Sequence, residues 1–179
     1  MKLFRFFSLI AALVMGAFVL ASCGDDEQEP QDNGNGSKVN KEVVGTYTGW
    51  THLKTNFIDK TYEGDTLKLS LSDDGTLIGK FINKTWGTAT ITGIKANKIE
   101  SGQGYILHEG EGSFVMNNPR DNIQGPKLPT EEFGCRLSQA TISADKKQMM
   151  AIIIANMTTA GAHGEMTFTF HTGILPTKE

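Results

Sequence analysis

Four histidines, His52, His108, His163 and His171, are the first residues to test for chemistry. None is spaced from another as a metal pair is, at i, i+4 on a helix or as His-x-His on a strand. His163-Gly164-Glu165 comes nearest, and it reads as a loop rather than a ligand set. Asp73/Asp74 and Glu131/Glu132 are adjacent carboxylates, but neighbours on a strand point to opposite faces. They read as turn and rim residues rather than as an acid–base pair. Gly102-Gln103-Gly104 and Gly110-Glu111-Gly112 are not followed by a helix start, so neither reads as a phosphate loop. No Ser-His-Asp constellation is visible, although triads assemble in space and a sequence does not exclude one. Cys135 reads as a small buried hydrophobe, a free thiol's commonest role. No catalytic residue, metal site or cofactor is expected, so the chain does not read as an enzyme.

Aromatic residues offer a second kind of chemistry. Trp50, Trp86 and Tyr105 fall near the ends of strand-like segments, where they would line the mouth of a binding site or pack a rim. The segment Asn118 to Thr130 holds Pro119, Pro126 and Pro129 with few apolar groups. It reads as the longest loop, either functional or a passive connection.

The elements that position these residues are all strands. Leu67, Leu69 and Leu71 alternate within Thr66 to Ser72, and Asp73-Asp74-Gly75 reads as a hairpin turn into Thr76 to Lys84. Ala89 and Ile91 alternate with Thr88, Thr90 and Thr92. Met166, Phe168 and Phe170 alternate with Thr167, Thr169 and His171 within Glu165 to Thr172. Further strands are expected over Val43 to Leu53, Lys98 to His108, Gly112 to Asn117, Glu132 to Ser143 and Gln148 to Met157, with a loop over Thr158 to Gly164. Gln148 to Met157 is apolar on both faces, which calls for a covering terminal segment or a partner outside the wall. No stretch keeps a 3.6-residue apolar period over three turns. The fold class expected is all-β, a single up-and-down antiparallel barrel of about eight strands, with a sandwich as the alternative.

The N-terminus is of another character. Lys2 and Arg5 precede an uncharged run of twelve residues, Leu9 to Leu20. As a helix that run reaches only about 18 Å, short of a hydrocarbon core of about 30 Å, so it reads as a secretory signal rather than a span. Leu20-Ala21-Ser22-Cys23 resembles the bacterial lipobox, which implies cleavage before Cys23 and lipid on its sulfur. Gly24-Asp25-Asp26-Glu27 resembles the export signal of surface-exposed lipoproteins in Bacteroidetes-type bacteria, against the alternative of a periplasm-facing anchor. The organisation expected is a signal peptide over 1–22, a lipidated cysteine with a flexible acidic tether over 23–40, and a barrel domain over 41–179. The tether carries the acidity: residues 24–40 hold five acids and one base, while 41–179 hold 15 acids and 14 bases. Such a near-neutral domain offers no basic patch for nucleic acid. With Cys23 lipidated, Cys135 has no partner for a disulfide, and packing alone must hold the domain.

Val44-Gly45-Thr46-Tyr47-Thr48-Gly49 resembles the opening strand of the calycin-like β-barrel domain of Bacteroidetes lipoproteins, and the Phe-rich final strand ending His171-Thr172-Gly173 is similar too. The resemblance covers roughly 41–175. It implies an eight-strand barrel of lipocalin-like shape, with Tyr47 where lipocalins carry a tryptophan, and it brings no catalytic residues. Asp65-Thr66-Leu67 resembles the short O-glycosylation motif of exported proteins from the same bacteria. The functions to weigh are a barrel holding a small apolar or glycan ligand, and a surface module, adhesin or enzyme inhibitor, that meets a protein partner. In both, the lipid on Cys23 provides the membrane contact.

Overall fold

In strand after strand the apolar positions fall at every second residue, and each such set turns toward a common interior. The computed structural model describes residues 34–108, 110–117, 132–159 and 162–176. The signal segment, Cys23 and the proline-rich loop 118–130 lie outside the described residues. A helix α1 (Gly34–Glu42) precedes nine strands: β1 (Gly45–Lys54), β2 (Asp59–Leu71), β3 (Leu77–Asn83), β4 (Gly87–Lys98), β5 (Gly104–His108), β6 (Glu111–Met116), β7 (Glu132–Ser143), β8 (Met149–Thr159) and β9 (Ala162–Thr172). All pairings are antiparallel, and β1 pairs with both β2 and β9, so the sheet closes on itself. The fold is the closed eight-stave barrel expected, of calycin-like shape, and not a sandwich.

Nine strands make eight staves because β5 and β6 lie end to end between β4 and β7. Thr92 pairs with Glu111 and Lys95 with His108, so the register on β4 is unbroken across the gap. The kink falls at Gly110 (φ 108°), where a Cβ would lie 2.6 Å from Ile94 Cγ1 and 2.9 Å from Ile91 Cγ2. Glycine is required there by both backbone and space. Gly49 serves the closing seam: a Cβ on it would sit 1.8 Å from the His171 carbonyl oxygen.

Among the described residues the centre of the interior is filled by side chains. Phe81, Phe114, Phe168 and Phe170 are fully buried at its centre, with Phe81 and Phe168 rings 5.4 Å apart and Phe114 and Phe168 rings 5.2 Å apart. Leu53, Leu67, Leu77, Ile91 and Ile153 fill the surrounding layers. A void wide enough for water would leave accessible surface on its walls, and the four phenylalanines have none. Small barrels filled by their own side chains are one of the two outcomes eight strands allow.

Several boundaries differ from the sequence reading. The tether was expected to run to residue 40, but Gly34–Glu42 is helical and closes one end of the barrel. Its sequence is a poor helix former, and packing rather than propensity holds it. Val39 packs on the core, Val43 just beyond is fully buried, and Asn40 is 4% exposed. Lys98 to His108 is not one strand: Lys98 ends β4, the chain turns through Gly102 and Gly104 at positive φ, and only Gly104–His108 is strand. Thr158 and Thr159 belong to β8, and Ala162 to Gly164 to β9, rather than to a loop, with Thr159 paired to Ala162. Finally, β2 starts at Asp59, seven residues before Thr66, so β1 and β2 run on past the far end of β3.

The two ends of the barrel are thereby distinct. The helix end carries α1 and the β2–β3, β4–β5 and β7–β8 turns. The far end carries the β1–β2 and β3–β4 turns.

Candidate functional site

Trp50, Trp86 and Tyr105 do not converge. Tyr105 lies on the inner face at the helix end, 6% exposed, and its hydroxyl donates to Glu42 Oε2 at 2.7 Å. Lys98 Nζ pairs with the same carboxylate at 2.9 Å and lies 5.9 Å from the Tyr105 ring centroid. The Tyr105 hydroxyl, then Lys98, hold the Glu42 carboxyl below its ordinary range, and Glu42 in turn raises the Tyr105 phenol. Tyr105 is therefore a clasp for α1. Trp86 sits in the β3–β4 turn at the opposite end, half-buried against the core, and its buried Nε1 has no acceptor among the described residues. Trp50 faces outward on β1, stacked on His171 of β9 with centroids 4.4 Å apart and planes 21° apart. One shared mouth lined by all three is not what the fold makes.

The far end has its own polar anchor. Asp65 is 1% exposed, and its Oδ2 accepts from Asn83 Nδ2 at 2.6 Å. Asn83 Oδ1 in turn accepts from the backbone N–H of Thr85 (3.1 Å) and Trp86 (2.8 Å). Thr51 Oγ1, fully buried, lies close enough to Asp65 to lower its pKa without reaching hydrogen-bond geometry. Burial outweighs these partners and raises the Asp65 carboxyl above its ordinary value. The carboxylate shapes a turn from within. Its neighbour Thr66 points outward on the same strand.

The outer wall over β1, β9 and β8 presents an ordered array of side chains. Cross-strand pairing sets them in rows: Trp50–His171–Met150, then His52–Thr169–Ile152, then Lys54–Thr167–Ile154. The outer residues Met150, Ile152 and Ile154 are half-buried. The described N-terminal helix packs against β4, so it is not the segment that covers them. Burial first, then the charge of His52, pushes the His171 pKa below its ordinary 6.5. Beside Met150 and His171, at the helix end, a groove of about 550 Å³ is lined also by Thr141, Gln148 and Thr172. A second depression of about 430 Å³ lies at the kink, between Gly93, Gly110 and Arg136.

One arrangement was invisible in the sequence. His52 Nε2 lies 3.2 Å from Asp59 Oδ1, and its Nδ1 lies 3.4 Å from Thr61 Oγ1. A carboxylate, an imidazole and a hydroxyl in line are the parts of a nucleophile relay. Here they stand on an exposed wall, with Asp59 69% exposed, and neither groove touches them. Only the cross-strand pairing of β1 with β2, shifted by a bulge after Gly49, brings them together.

The remaining candidates have structural roles. Asp74 caps the β2–β3 turn, accepting from Ser72 Oγ, Thr76 N and Thr76 Oγ1, and its carboxyl falls to about 2. Glu132 is the exposed first residue of β7, while Glu131 lies outside the described residues. His108 is exposed on β5, and His163 belongs to β9 rather than to a loop. Cys135 is buried, and desolvation pushes its thiol up to about 11, which keeps it protonated and unreactive at neutral pH. No group of three metal-ligating side chains occurs among the described residues. No family model matches the chain, and no curated protein matches it.

Proposed function

We propose that this chain is an exported lipoprotein, anchored by lipid on Cys23 to the outer membrane and displayed at the cell surface, and that its barrel is a protein-interaction module of the adhesin or enzyme-inhibitor kind. The calycin-like lipoproteins of Bacteroidetes-type bacteria are the group it resembles in its opening strand. The single observation that carries the interaction reading is the filled interior. Phe81, Phe114, Phe168 and Phe170 occupy the volume in which a carrier barrel would hold its ligand. What the protein recognises is then met by its outer wall or its ends. Catalysis has weaker support, because the Asp59–His52–Thr61 relay is on an exposed wall and lines neither groove found among the described residues.

A second reading is favoured by the groove lined by His171, whose ring stacks on Trp50. A small apolar or glycan ligand would sit there, outside the barrel, against an aromatic surface. A thermal-shift screen across lipids and glycans separates the two. No shift is expected on the interaction reading, whereas a saturable shift lost in Trp50→Ala would establish the ligand reading. Intact-mass measurement of the native protein tests the anchor: Cys23 should be the N-terminal residue and carry lipid, and an unmodified Cys23 would overturn the localisation.

A further inference from the structure

The turn joining β1 to β2 is built to hold one side chain in solvent. Thr55 N donates to Ile58 O at 2.8 Å, and Thr55 Oγ1 accepts from Phe57 N (3.1 Å) and Ile58 N (2.9 Å). These three bonds fix a four-residue turn. Ile58 turns in to pack on the core, while Phe57 is 96% exposed. The fold gains nothing from a large ring in water, and a rigid turn that presents an aromatic removes the ordering cost of binding through it. Lys54 and Lys60 flank the turn and are exposed, and the local carboxylate, Asp59, is engaged by His52 at 3.2 Å. The tip is therefore apolar at its point and, with two lysines beside one carboxylate, net positive at its sides.

Chain length gives the tip a direction. Ten residues separate Cys23 from Gly34, where α1 begins at the opposite end of the barrel. Fully extended they reach at most about 35 Å. Eleven-residue staves such as β8 and β9, tilted as barrel strands are, make a wall about 28 Å tall. A lipid on Cys23 thus keeps the helix end near the bilayer, and nearly all the connecting chain would be used up in bringing the far end there. On the lipoprotein reading, a relaxed connecting chain leaves the Phe57 turn farther from the bilayer than the helix end.

We propose that the β1–β2 turn is the docking tip of this module, with Phe57 as its anchor, and that the partner is a protein offering an apolar pocket rimmed by carboxylates. The proposal deepens the interaction reading and rests on it. The test places a photo-crosslinking phenylalanine analogue at position 57, at Thr48 on the outer wall or at Lys146 in the β7–β8 turn of the full-length lipoprotein, in producing cells mixed with the host material and neighbouring bacteria of their native habitat. One protein, identified by mass spectrometry, should crosslink from 57 and not from the two controls. Its purified form should then bind Phe57→Ser about 10- to 100-fold more weakly than wild type and Phe57→Trp nearly as well. Crosslinking from position 57 to lipid rather than protein, or equal binding by Phe57→Ser, overturns the tip. A protein found from Thr48 or Lys146 alone overturns the tip and leaves the interaction reading standing. No protein from any of the three positions overturns both.

Discussion

At the helix end, Asn40 reaches across from α1 to donate to the Gly75 carbonyl and to accept from the Ala96 amide, both at 2.8 Å. At the far end, Asp65 holds Asn83 at 2.6 Å, and Asn83 holds the turn that follows it. Each end thus rests on buried polar side chains, Asn40 at one and Asp65 with Asn83 at the other, but the two differ in charge. Asn40 is neutral and fully paired, and the carboxylates around it, Glu42 and Asp74, lie at the surface with their pKa values lowered by partners. Asp65 is a carboxylate inside the barrel with its pKa raised by burial. One end is fastened by groups that favour the ionised state, the other by a group that resists it. The same wall of strands therefore ends in two seals that respond to acid in opposite senses.

Four experiments sharpen or break that contrast. The largest effect should come from Phe168→Ala, at the centre between the ends, which should cost about 3–5 kcal/mol in denaturant unfolding. If the two ends belong to one cooperative unit, amide exchange protection at Ala96 and at Trp86 should fall together. Loss at one position alone would mean that the ends unfold independently. Next, Asn40→Ala removes two hydrogen bonds and leaves the Ala96 N–H buried without an acceptor. It should cost about 2–3 kcal/mol, and hydrogen exchange should quicken around the β2–β3 turn before it does at the β3–β4 turn.

The third experiment is an acid titration of stability. Glu42 titrates below its ordinary 4.5 in the folded chain, so its contribution is full above that value and is lost as pH falls through the lowered one. Asp74 behaves likewise between 3.8 and about 2. Asp65 has the opposite sign. Its folded-state pKa is above 3.8, so its contribution is full below 3.8 and is lost as pH rises through the raised value. Glu42→Gln should flatten the acid-side loss of stability, and Asp65→Asn should steepen it. At neutral pH, Asp65→Asn should change stability by less than about 1 kcal/mol, while Asp65→Ala costs about 1–3 kcal/mol by leaving the Asn83 amide without its acceptor. An acid limb unchanged in both Glu42→Gln and Asp65→Asn would remove the electrostatic contrast. The smallest effect belongs to Phe57→Ser, which should move the unfolding midpoint by no more than about 0.5 kcal/mol. A larger loss would mean that the ring packs against the fold.

Much of the barrel was legible because its interior is written in a two-residue period. Leu67 and Leu69, Ala89 and Ile91, and Met166, Phe168 and Phe170 all face inward as their alternation requires. Asp73-Asp74-Gly75 turns where it should, with Gly75 at φ 81°. What escaped the sequence depends on partners far along the chain. Gly34–Glu42 has no pattern that marks a helix, and it is held by Asn40 meeting groups 35 and 56 residues away. The need for glycine at 110, between β5 and β6, is set by Ile91 and Ile94 on a neighbouring stave, which one segment's composition does not reveal. The three aromatic residues illustrate the limit best. Being near a strand end does not say which end or which face, and Trp50, Trp86 and Tyr105 went to the wall, the far end and the helix end. The His52, Asp59 and Thr61 cluster depends on a single-residue register shift, beyond the reach of spacing arguments.

The seam at Gly49 has a consequence in time as well as in space. Gly49 pairs with Thr172, so the first strand to be synthesised takes its second neighbour from the last. Until β9 has left the ribosome, and on the exported reading has crossed the inner membrane, β1 is an edge with bare amides and carbonyls. Closing so long a loop is slow, on the millisecond-to-second scale of barrels rich in distant contacts. A barrel whose seam waits for β9 therefore keeps β1 as an open edge through most of its own synthesis.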